Sequence, residues 1–185
     1  MKNKSSGEQT ATLAGGCFWC TEAVFQRLKG VSAVMPGYAG GAMDNPSYED
    51  VSRGTTDHAE VARITYDPEV IKYRDLLEVF FATHDPTTMN RQGNDVGTQY
   101  RSAIFYENEK QRNEAETIVR ELSDSNSFGK KIVTEVKKLD KFFPAENYHR
   151  NYYNQNEGQP YCQFVIAPKL KKFKEKFTSL LKDTA

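Results

Sequence analysis

Two cysteines three positions apart are the first residues in this sequence whose spacing suggests chemistry, and they lie in the stretch GGCFWC at residues 15–20. Such a pair can hold half of a zinc site, form a disulfide, or supply an attacking thiol with a second thiol beside it. Cys17 follows two glycines at a predicted turn from a strand into a helix, where unpaired N–H groups and the helix dipole favour a thiolate. Cys17 is therefore a candidate nucleophile. The alternative is a small buried apolar residue, which is what most free cysteines are.

A zinc site at this pair would need two further ligands, for which His149 and Cys162 are the candidates. The second short-spaced ligand pair that is typical of structural zinc is missing, so the pattern argues against a metal. Three cysteines are also too few for a secreted disulfide framework, and the cytosol keeps thiols reduced. Any disulfide is expected to be transient and part of the chemistry.

Length and composition predict one domain without a bulk electrostatic partner. A chain of 185 residues can bury one sizeable core, and its 25 Lys and Arg balance its 25 Asp and Glu. This balance gives no attraction to nucleic acid or to an acidic membrane surface. The polar N-terminus MKNKSSGEQT lacks the apolar run of a signal peptide, and no window has the length of a spanning helix. We expect a cytoplasmic monomer that forms a single domain over residues 1–185, with a polar tail at 1–10.

Hydrophobic periodicity predicts the elements that position the cysteines. Strands are predicted at 10–16, 30–41 with a break at Pro36, 60–68, 100–107 and 131–139. Helices are predicted at 17–28 with Trp19 and Ala23 on one face, after Asn108 with Gln111 as its capping partner, and at 168–181. A further helix is predicted at 73–86, with an apolar face made of Leu76, Leu77, Phe80 and Phe81. Long loops are predicted at 42–60 and 87–100. Because strands and helices do not alternate regularly, the pattern favours an α+β layer structure.

A series of longer motifs covers about residues 11–178: GGCFWC, GYAGG, NPSYEDV, HAEV, HDPTT, RQGNDVGTQYRSAIFY, PAENYH and PYCQFVIAPK. In order and approximate spacing they resemble the peptide methionine sulfoxide reductase A family. GCFW and the GND–GTQYRS run are far more specific than a lone CxxC. The resemblance implies the family fold, a two-layer α+β sandwich with a central mixed β-sheet flanked by helices, of the ferredoxin-like plait kind. It also implies reduction of methionine-S-sulfoxide, free or in proteins.

The resemblance implies that Cys17 attacks the sulfoxide sulfur, so that methionine leaves and a sulfenic acid remains on Cys17. A sulfoxide oxygen needs a proton or hydrogen bonds before it becomes a good leaving group, which requires a protonated acid and neutral donors. Glu60 matches the glutamate of the HAE motif, and an apolar pocket would keep it protonated. Tyr48 and Tyr100 match the implied hydroxyl donors.

Three further residues match the family's site. Asp95 matches a residue that organises the site through hydrogen bonds, and Phe18 and Trp19 match the aromatic wall that receives the methyl group of the substrate. Periodicity alone is equally consistent with Phe18 and Trp19 as helix core. His58 and His149 each fit a structural histidine that hydrogen-bonds the backbone, and we assign neither as a base.

The resemblance also implies regeneration through an intramolecular disulfide that thioredoxin reduces, with no cofactor and no metal. Cys20 lies one helical turn from Cys17, within plausible disulfide reach. Cys162 follows NQNEGQPY, a segment able to swing inward. We expect Cys20 to be the first resolving cysteine because its loop is short, with Cys162 as a relay or a bystander.

Two positions depart from the family pattern. Asp57 stands where the commonest form has glycine, and Arg150 replaces the usual glutamine after His149. Aspartate tolerates a left-handed backbone, so we expect the turn to survive, and we expect its charge to alter the acidity of Glu60.

A function of another class is the alternative hypothesis. The CxxC pair can serve a redox-sensing or oxidised-peptide-binding module that stores oxidation without turnover. A thioredoxin-like disulfide exchanger is a further alternative, against which the pair lacks the Gly-Pro between its cysteines. The sequence favours the reductase.

Overall fold

The computed structural model describes residues 7–183. Its strands are β1 Gln9–Gly15, β2 Val31–Ala39, β3 Ala59–Tyr66, β4 Arg91–Gln92, β5 Asp95–Val96, β6 Ser102–Tyr106, β7 Glu135–Lys138 and β8 Phe142–Pro144. Six of them form one sheet in the order β7-β6-β1-β3-β2-β8, and β4 pairs with β5 in a small hairpin. The β6–β7 pair is parallel and the other neighbours are antiparallel, so the sheet is mixed.

Helices cover the sheet and complete an α+β fold, as the sequence predicts. They are α1 Phe18–Phe25, α2 Tyr48–Ser52, α3 Tyr73–Thr83, α4 Glu109–Asp124, α5 Tyr152–Gln155 and α6 Ala167–Lys176. A π-helical turn, Cys162–Ile166, leads directly into α6, and 3-10 turns occur at Thr98–Tyr100, Asn147–His149 and Thr178–Leu180. Within residues 7–183, no helix has both the length and the apolar character needed to cross a membrane.

The alternation of side chains along the strands gives the sheet two buried faces. Ala11, Leu13 and Ile64 point to the main core, which α1, α3, α4 and α6 cover. Val61 and Phe105 point to a smaller cluster on the opposite face. Glu60 and Ile64 are an even number of positions apart in β3, so their side chains point to the same face of the sheet. The Glu60 side chain therefore faces the helices, on the side where α1 begins.

Several sequence predictions for the helices are confirmed. In α3 the predicted apolar face is buried, and the Asn108 side chain accepts a hydrogen bond from Gln111 N–H at 3.0 Å at the start of α4. Two predictions are wrong. Helix α1 has no single apolar face, because every residue except Trp19 is buried. The helix predicted at 168–181 ends at Lys176 and continues only as a 3-10 turn.

The predicted break at Pro36 is wrong, because β2 runs through it. The Pro36 carbonyl accepts a hydrogen bond from Ala145 N–H at 2.9 Å. In an antiparallel strand the N–H and C=O of one residue point to the same side, so the missing N–H of Pro36 also faces the β8 side. Strand β8 pairs only with Gly37–Ala39, so the ladder to β3 is intact.

The predicted loop at 42–60 contains helix α2, which the sequence interpretation missed. Ser47 caps it: Asp50 N–H donates to Ser47 Oγ at 3.1 Å, and Ser47 N–H donates back to the Asp50 carboxylate at 3.0 Å. This Ser-x-x-Asp capping box was visible in the sequence as a helix-start signal. The helix places the Tyr48 side chain near the end of β1.

The turn before β3 survives the replacement of glycine by Asp57, as expected. Asp57 has a φ of 58°, in the left-handed region. Its carbonyl accepts a hydrogen bond from Arg101 Nη2 at 3.0 Å, and Arg101 is also within 3.5 Å of the Glu135 carboxylate. The turn is therefore tied to β7 through a buried guanidinium.

Candidate active site

Cys17 lies where β1 passes into α1, at the predicted strand-to-helix turn. Gly16 has a φ of +94°, and a Cβ there would come within 2.6 Å of the Gln92 side chain, so only glycine fits. Cys17 is the N-cap residue of α1, and its carbonyl accepts the N–H of Cys20 at 3.1 Å. Its side chain lines a pocket of about 310 Å³ together with Cys20, Asp95 and Tyr161. The fold thus presents one sulfur to a ligand and keeps a second beside it.

Glu60 reaches the start of α1 from β3. Its Oε2 accepts the backbone N–H of Phe18 at 3.0 Å, one of the N–H groups left unpaired at a helix start. The residue is 1% exposed, and burial raises the pKa of its carboxyl to about 8, with smaller contributions from the charges of Asp95 and Cys20. Glu60 therefore holds a proton at neutral pH.

The effect of the Asp57 charge on the acidity of Glu60 stays a prediction. Burial is the main cause of the Glu60 pKa shift, and the charges that raise the pKa further are those of Asp95 and Cys20. In the left-handed turn Asp57 presents its backbone carbonyl to the buried Arg101, while its side chain is exposed. Solvent screens such a carboxylate from a buried neighbour.

The two thiols of the CxxC pair titrate as a unit. Burial, the adjacent Cys20 thiol and the charge of Glu60 raise the pKa of Cys17 well above its usual value. Interaction with Cys17 lowers the pKa of Cys20 to about 7, against burial, and Lys169 and Tyr161 act in the same direction. The pair gives up one proton near neutral pH and holds the other. The expectation that the helix start alone lowers the Cys17 pKa is wrong, because burial outweighs it in the free protein.

Tyr48 and Tyr100 are half-buried beside the carboxyl of Glu60. Burial, followed by the charge of Glu60, raises the pKa of Tyr48 to about 12 and raises that of Tyr100 as well. Both phenols are therefore neutral donors at physiological pH. Glu146 ties the start of α2 to β2, since it accepts hydrogen bonds from Tyr48 N–H at 3.0 Å and Tyr38 Oη at 3.1 Å.

Two other aromatic rings hold the Trp19 side chain in place. Its indole stacks on Tyr152 with centroids 3.8 Å apart and an interplanar angle of 7°, and it meets Tyr161 edge-on at 5.9 Å. The indole N–H donates to His149 Nδ1 at 3.0 Å. Phe18 is 1% exposed, and its ring lies 6.3 Å from that of Tyr48. The aromatic pair thus forms a rigid flank of the cysteine site.

Asp95 joins the site through a residue that the sequence interpretation missed. Tyr161 Oη donates to Asp95 Oδ2 at 2.7 Å and lies 3.8 Å from Cys20 Sγ. The only sequence signal for Tyr161 is its position directly before Cys162. Cys162 is fully buried in the π-helical turn and does not line the Cys17 pocket. All three cysteines are free thiols.

His58 and His149 differ in role. His58 is structural, as expected, because its Nδ1 accepts Gly41 N–H at 3.0 Å and its Nε2 lies 2.7 Å from the Met43 carbonyl. The expectation of a backbone bond is wrong for His149, which accepts from the Trp19 indole instead. Burial lowers the pKa of His149, so it is a neutral acceptor. Arg150, which follows it, is exposed.

A buried thiol pair beside a protonated carboxyl, on an α+β scaffold, defines a thiol-dependent oxidoreductase. The chain matches the family described as peptide methionine sulfoxide reductase over residues 9–181. It is 56% identical over 174 residues to peptide methionine sulfoxide reductase MsrA of Saccharolobus solfataricus, covering 94% of this chain and 97% of that protein.

Solved structures agree with this match. The crystal structure of Mxr1 from Saccharomyces cerevisiae in reduced form has a TM-score of 0.79 at 37% identity, with 87% of this chain and 92% of that chain covered. Mxr1 in complex with Trx2 has a TM-score of 0.56 at 27% identity, with 82% and 89% covered. The chain therefore belongs to the peptide methionine sulfoxide reductase family, and it is an oxidoreductase that reduces methionine sulfoxide.

Proposed function

We propose that the chain reduces the S epimer of methionine sulfoxide, free and in proteins, by attack of the Cys17 sulfur on the sulfoxide sulfur. The observation that carries this mechanism is the buried carboxyl of Glu60, whose pKa of about 8 makes it a proton donor beside the thiol pair. A carboxylate that stayed ionised would repel the developing charge on the sulfoxide oxygen instead.

The reaction transfers one oxygen from sulfur to sulfur. As Cys17 attacks, Glu60 gives its proton to the sulfoxide oxygen, and the proton that leaves the Cys17 thiol replaces it. The hydroxyl group passes to Cys17 as the S–O bond of the substrate breaks, and the bond between the two sulfurs breaks with it, so methionine leaves as the thioether and a sulfenic acid remains on Cys17. Phe18 and Trp19 receive the substrate methyl group, and Asp95 orders the polar side of the pocket through Tyr161.

The hydroxyls of Tyr48 and Tyr100 share the charge that develops on this oxygen. Either hydroxyl can partly cover for the other, so Tyr48→Phe and Tyr100→Phe should each lower kcat about tenfold, whereas the double variant should lose about 10²–10³-fold. The measurement is steady-state turnover with dithiothreitol. Tyr106→Phe, in β6 away from the site, is the matched control. Small, additive losses would mark the two tyrosines as packing residues.

We propose that Cys20 resolves the sulfenic acid, releasing water and forming a Cys17–Cys20 disulfide. Cys20 is close enough to hydrogen-bond Cys17 and lines the same pocket, whereas Cys162 is buried outside that pocket. Cys162, within the same core cluster, would relay the disulfide outward or stand idle. Thioredoxin is the proposed reductant, which the complex of the related Mxr1 with Trx2 supports.

The order of the cysteines is tested with Cys20→Ser and Cys162→Ser. Cys20→Ser should stall after one turnover when thioredoxin is the only reductant, because the sulfenic acid on Cys17 then has no nearby partner. Cys162→Ser should keep turning over. Both should remain active with dithiothreitol, which reduces the sulfenic acid directly. Full thioredoxin-dependent activity in Cys20→Ser, with a stall in Cys162→Ser and free-thiol counts to match, would reverse the order.

We further propose that the chain works as one domain over residues 1–185 and as a monomer in the cytoplasm, without nucleic acid or membrane partners. The even charge balance supports the absence of nucleic acid and acidic membrane partners. The finer fold proposal is a two-layer sandwich of the ferredoxin-like plait kind, which helices packed against a mixed sheet support.

One assay distinguishes the enzyme from the alternative function, which is a sensor that is oxidised once without turnover. The protein is incubated with dithiothreitol and the separated epimers of dabsylated methionine sulfoxide. Methionine should accumulate in large molar excess over protein from the S epimer alone. A yield that stops at one equivalent would support the sensor instead.

A further inference from the structure

A groove rich in lysine runs from the cysteine site along α6. Its volume is about 720 Å³, and four lysines line it: Lys130, Lys169, Lys172 and Lys176. Among the described residues that line the groove, Asp85 is the only acidic one, and its carboxylate already accepts hydrogen bonds from Thr87 N–H and Oγ1 at 2.9 and 2.6 Å. The groove is therefore strongly positive.

This charge is a local concentration and not a property of the whole chain, which carries no net charge. Lysine ion pairs within residues 7–183 involve Lys29, Lys137 and Lys141, so none of the four groove lysines lies within ion-pair distance of a described carboxylate, although the charge of Lys130 acts on Asp85. Four unpaired ammonium groups around one groove repel each other, and an acidic ligand would relieve that repulsion.

The groove is continuous with the pocket of the nucleophile. Gln92, Val165 and Lys169 line both the groove and the pocket that contains Cys17. This pocket is not lined by the residues assigned to the oxidised side chain, which are Phe18, Trp19, Tyr48, Glu60 and Tyr100. The pocket is therefore the path from Cys17 to the groove for the flanking residues of a peptide whose oxidised sulfur lies at Cys17.

The lysine spacing fits an extended peptide. Lys169, Lys172 and Lys176 follow one another at three and four positions, so they share one face of α6. At about 1.5 Å per residue they span roughly 10 Å, the length of about three residues of extended chain. Phe128 and Phe177 also line the groove, which gives the methylene groups of a bound peptide an apolar floor.

We propose that this groove is a subsite for acidic residues within about four positions of the oxidised methionine in protein substrates. The proposal rests on the proposed function, because it places the oxidised side chain at Cys17. It predicts a preference among protein substrates that free methionine sulfoxide does not have. Thioredoxin is another protein that could meet this face, and the experiment separates the two.

The test compares two peptides that contain methionine sulfoxide flanked by glutamates or by glutamines, with dithiothreitol as the reductant. At low salt the glutamate peptide should have the lower KM, by about tenfold, with similar kcat. The double charge reversal Lys172→Glu with Lys176→Glu should remove this difference. It should leave kinetics on the glutamine peptide and on free methionine sulfoxide unchanged. Raising the salt to 0.5 M should weaken the preference in the wild-type protein.

The matched control is the double variant Lys171→Glu with Lys174→Glu. These lysines also lie on α6 and change the net charge by the same amount, but they do not line the groove. Equal KM values for the two peptides, or an equal loss in the control variant, would overturn the proposal. So would a groove variant that raises the KM for thioredoxin but leaves peptide kinetics unchanged, because the groove would then serve the reductant.

Binding without chemistry distinguishes failure of the subsite from failure of the proposed function. Fluorescence anisotropy of labelled, unoxidised versions of the two peptides measures their binding to the groove without any reaction at Cys17. Tighter binding of the glutamate peptide, lost in the groove variant, supports the subsite even if the reaction on Cys17 were wrong. Identical weak binding of both peptides, with normal turnover of free methionine sulfoxide, refutes the subsite and leaves the reaction standing.

Discussion

Cys17→Ser is expected to abolish sulfoxide reduction even with excess dithiothreitol, with a loss in kcat/KM of at least about 10³-fold. A serine hydroxyl is a far weaker nucleophile than a thiol, and it cannot carry the oxygen away as a sulfenic acid. The substitution is nearly isosteric, so the N-cap of α1 and the hydrogen bond between Phe18 and Glu60 should persist.

The measurement is methionine formed from the S sulfoxide, with a thermal melt to verify the fold. Cys162→Ser is the control, because it removes one buried thiol that does not line the pocket. It should retain dithiothreitol-dependent activity. Appreciable turnover by Cys17→Ser would show that another residue attacks the substrate.

Glu60→Gln is expected to lower kcat by about 10²–10⁴-fold. The amide oxygen can still accept the Phe18 N–H, so the start of α1 should keep its geometry. The amide can donate a hydrogen bond to the sulfoxide oxygen but cannot transfer a proton to it. The rate should therefore fall while the fold remains.

The pH dependence of activity tests the same role. The wild-type rate should fall as pH rises through about 8, because Glu60 then loses the proton that it must deliver. Glu60→Gln should lack this descending limb. A variant with the rate and pH profile of the wild type would place the acid elsewhere.

Stability should also fall as the pH rises. The folded-state pKa of Glu60, about 8, lies above the usual value of 4.5, so the folded state holds a proton that the unfolded state has lost at pH 6. Wild-type stability should therefore fall by about 2 kcal/mol from this group between pH 6 and 8. The free energy of unfolding of Glu60→Gln, measured by urea denaturation at pH 6 and at pH 8, should fall by correspondingly less between the two pH values.

Local sequence determined much of the scaffold. The glycines before Cys17 predict the strand-to-helix turn, because this signal acts within a few residues. The same holds for the apolar face of α3 and the cap at Asn108. Helix α2 was not predicted, although its capping box is a local signal. The continuity of β2 was not predicted, because the effect of Pro36 depends on which neighbouring strand its missing N–H faces.

The resemblance named the site residues Cys17, Glu60, Tyr48, Tyr100 and Asp95. Of these, Cys17 and Asp95 line one pocket, while Glu60 accepts the N–H of Phe18 beside Cys17 and its charge acts on Tyr48 and Tyr100. Their chemistry depends on contacts that no local pattern contains. Phe18 meets Glu60 across 42 positions of sequence, and Trp19 meets His149 across 130. The resemblance alone gave no reason to assign the indole of Trp19 a partner so far along the chain.

Only the tertiary structure decided the acidities. Burial raises the pKa of both Glu60 and Cys17, whereas the sequence predicted a lowered pKa for the thiol from its place at a helix start. The lysine groove likewise arises because α6 packs beside the end of α3 and the hairpin of β4 and β5. Sequence patterns encode interactions over a few residues, but burial and electrostatic fields sum over every element that packs nearby.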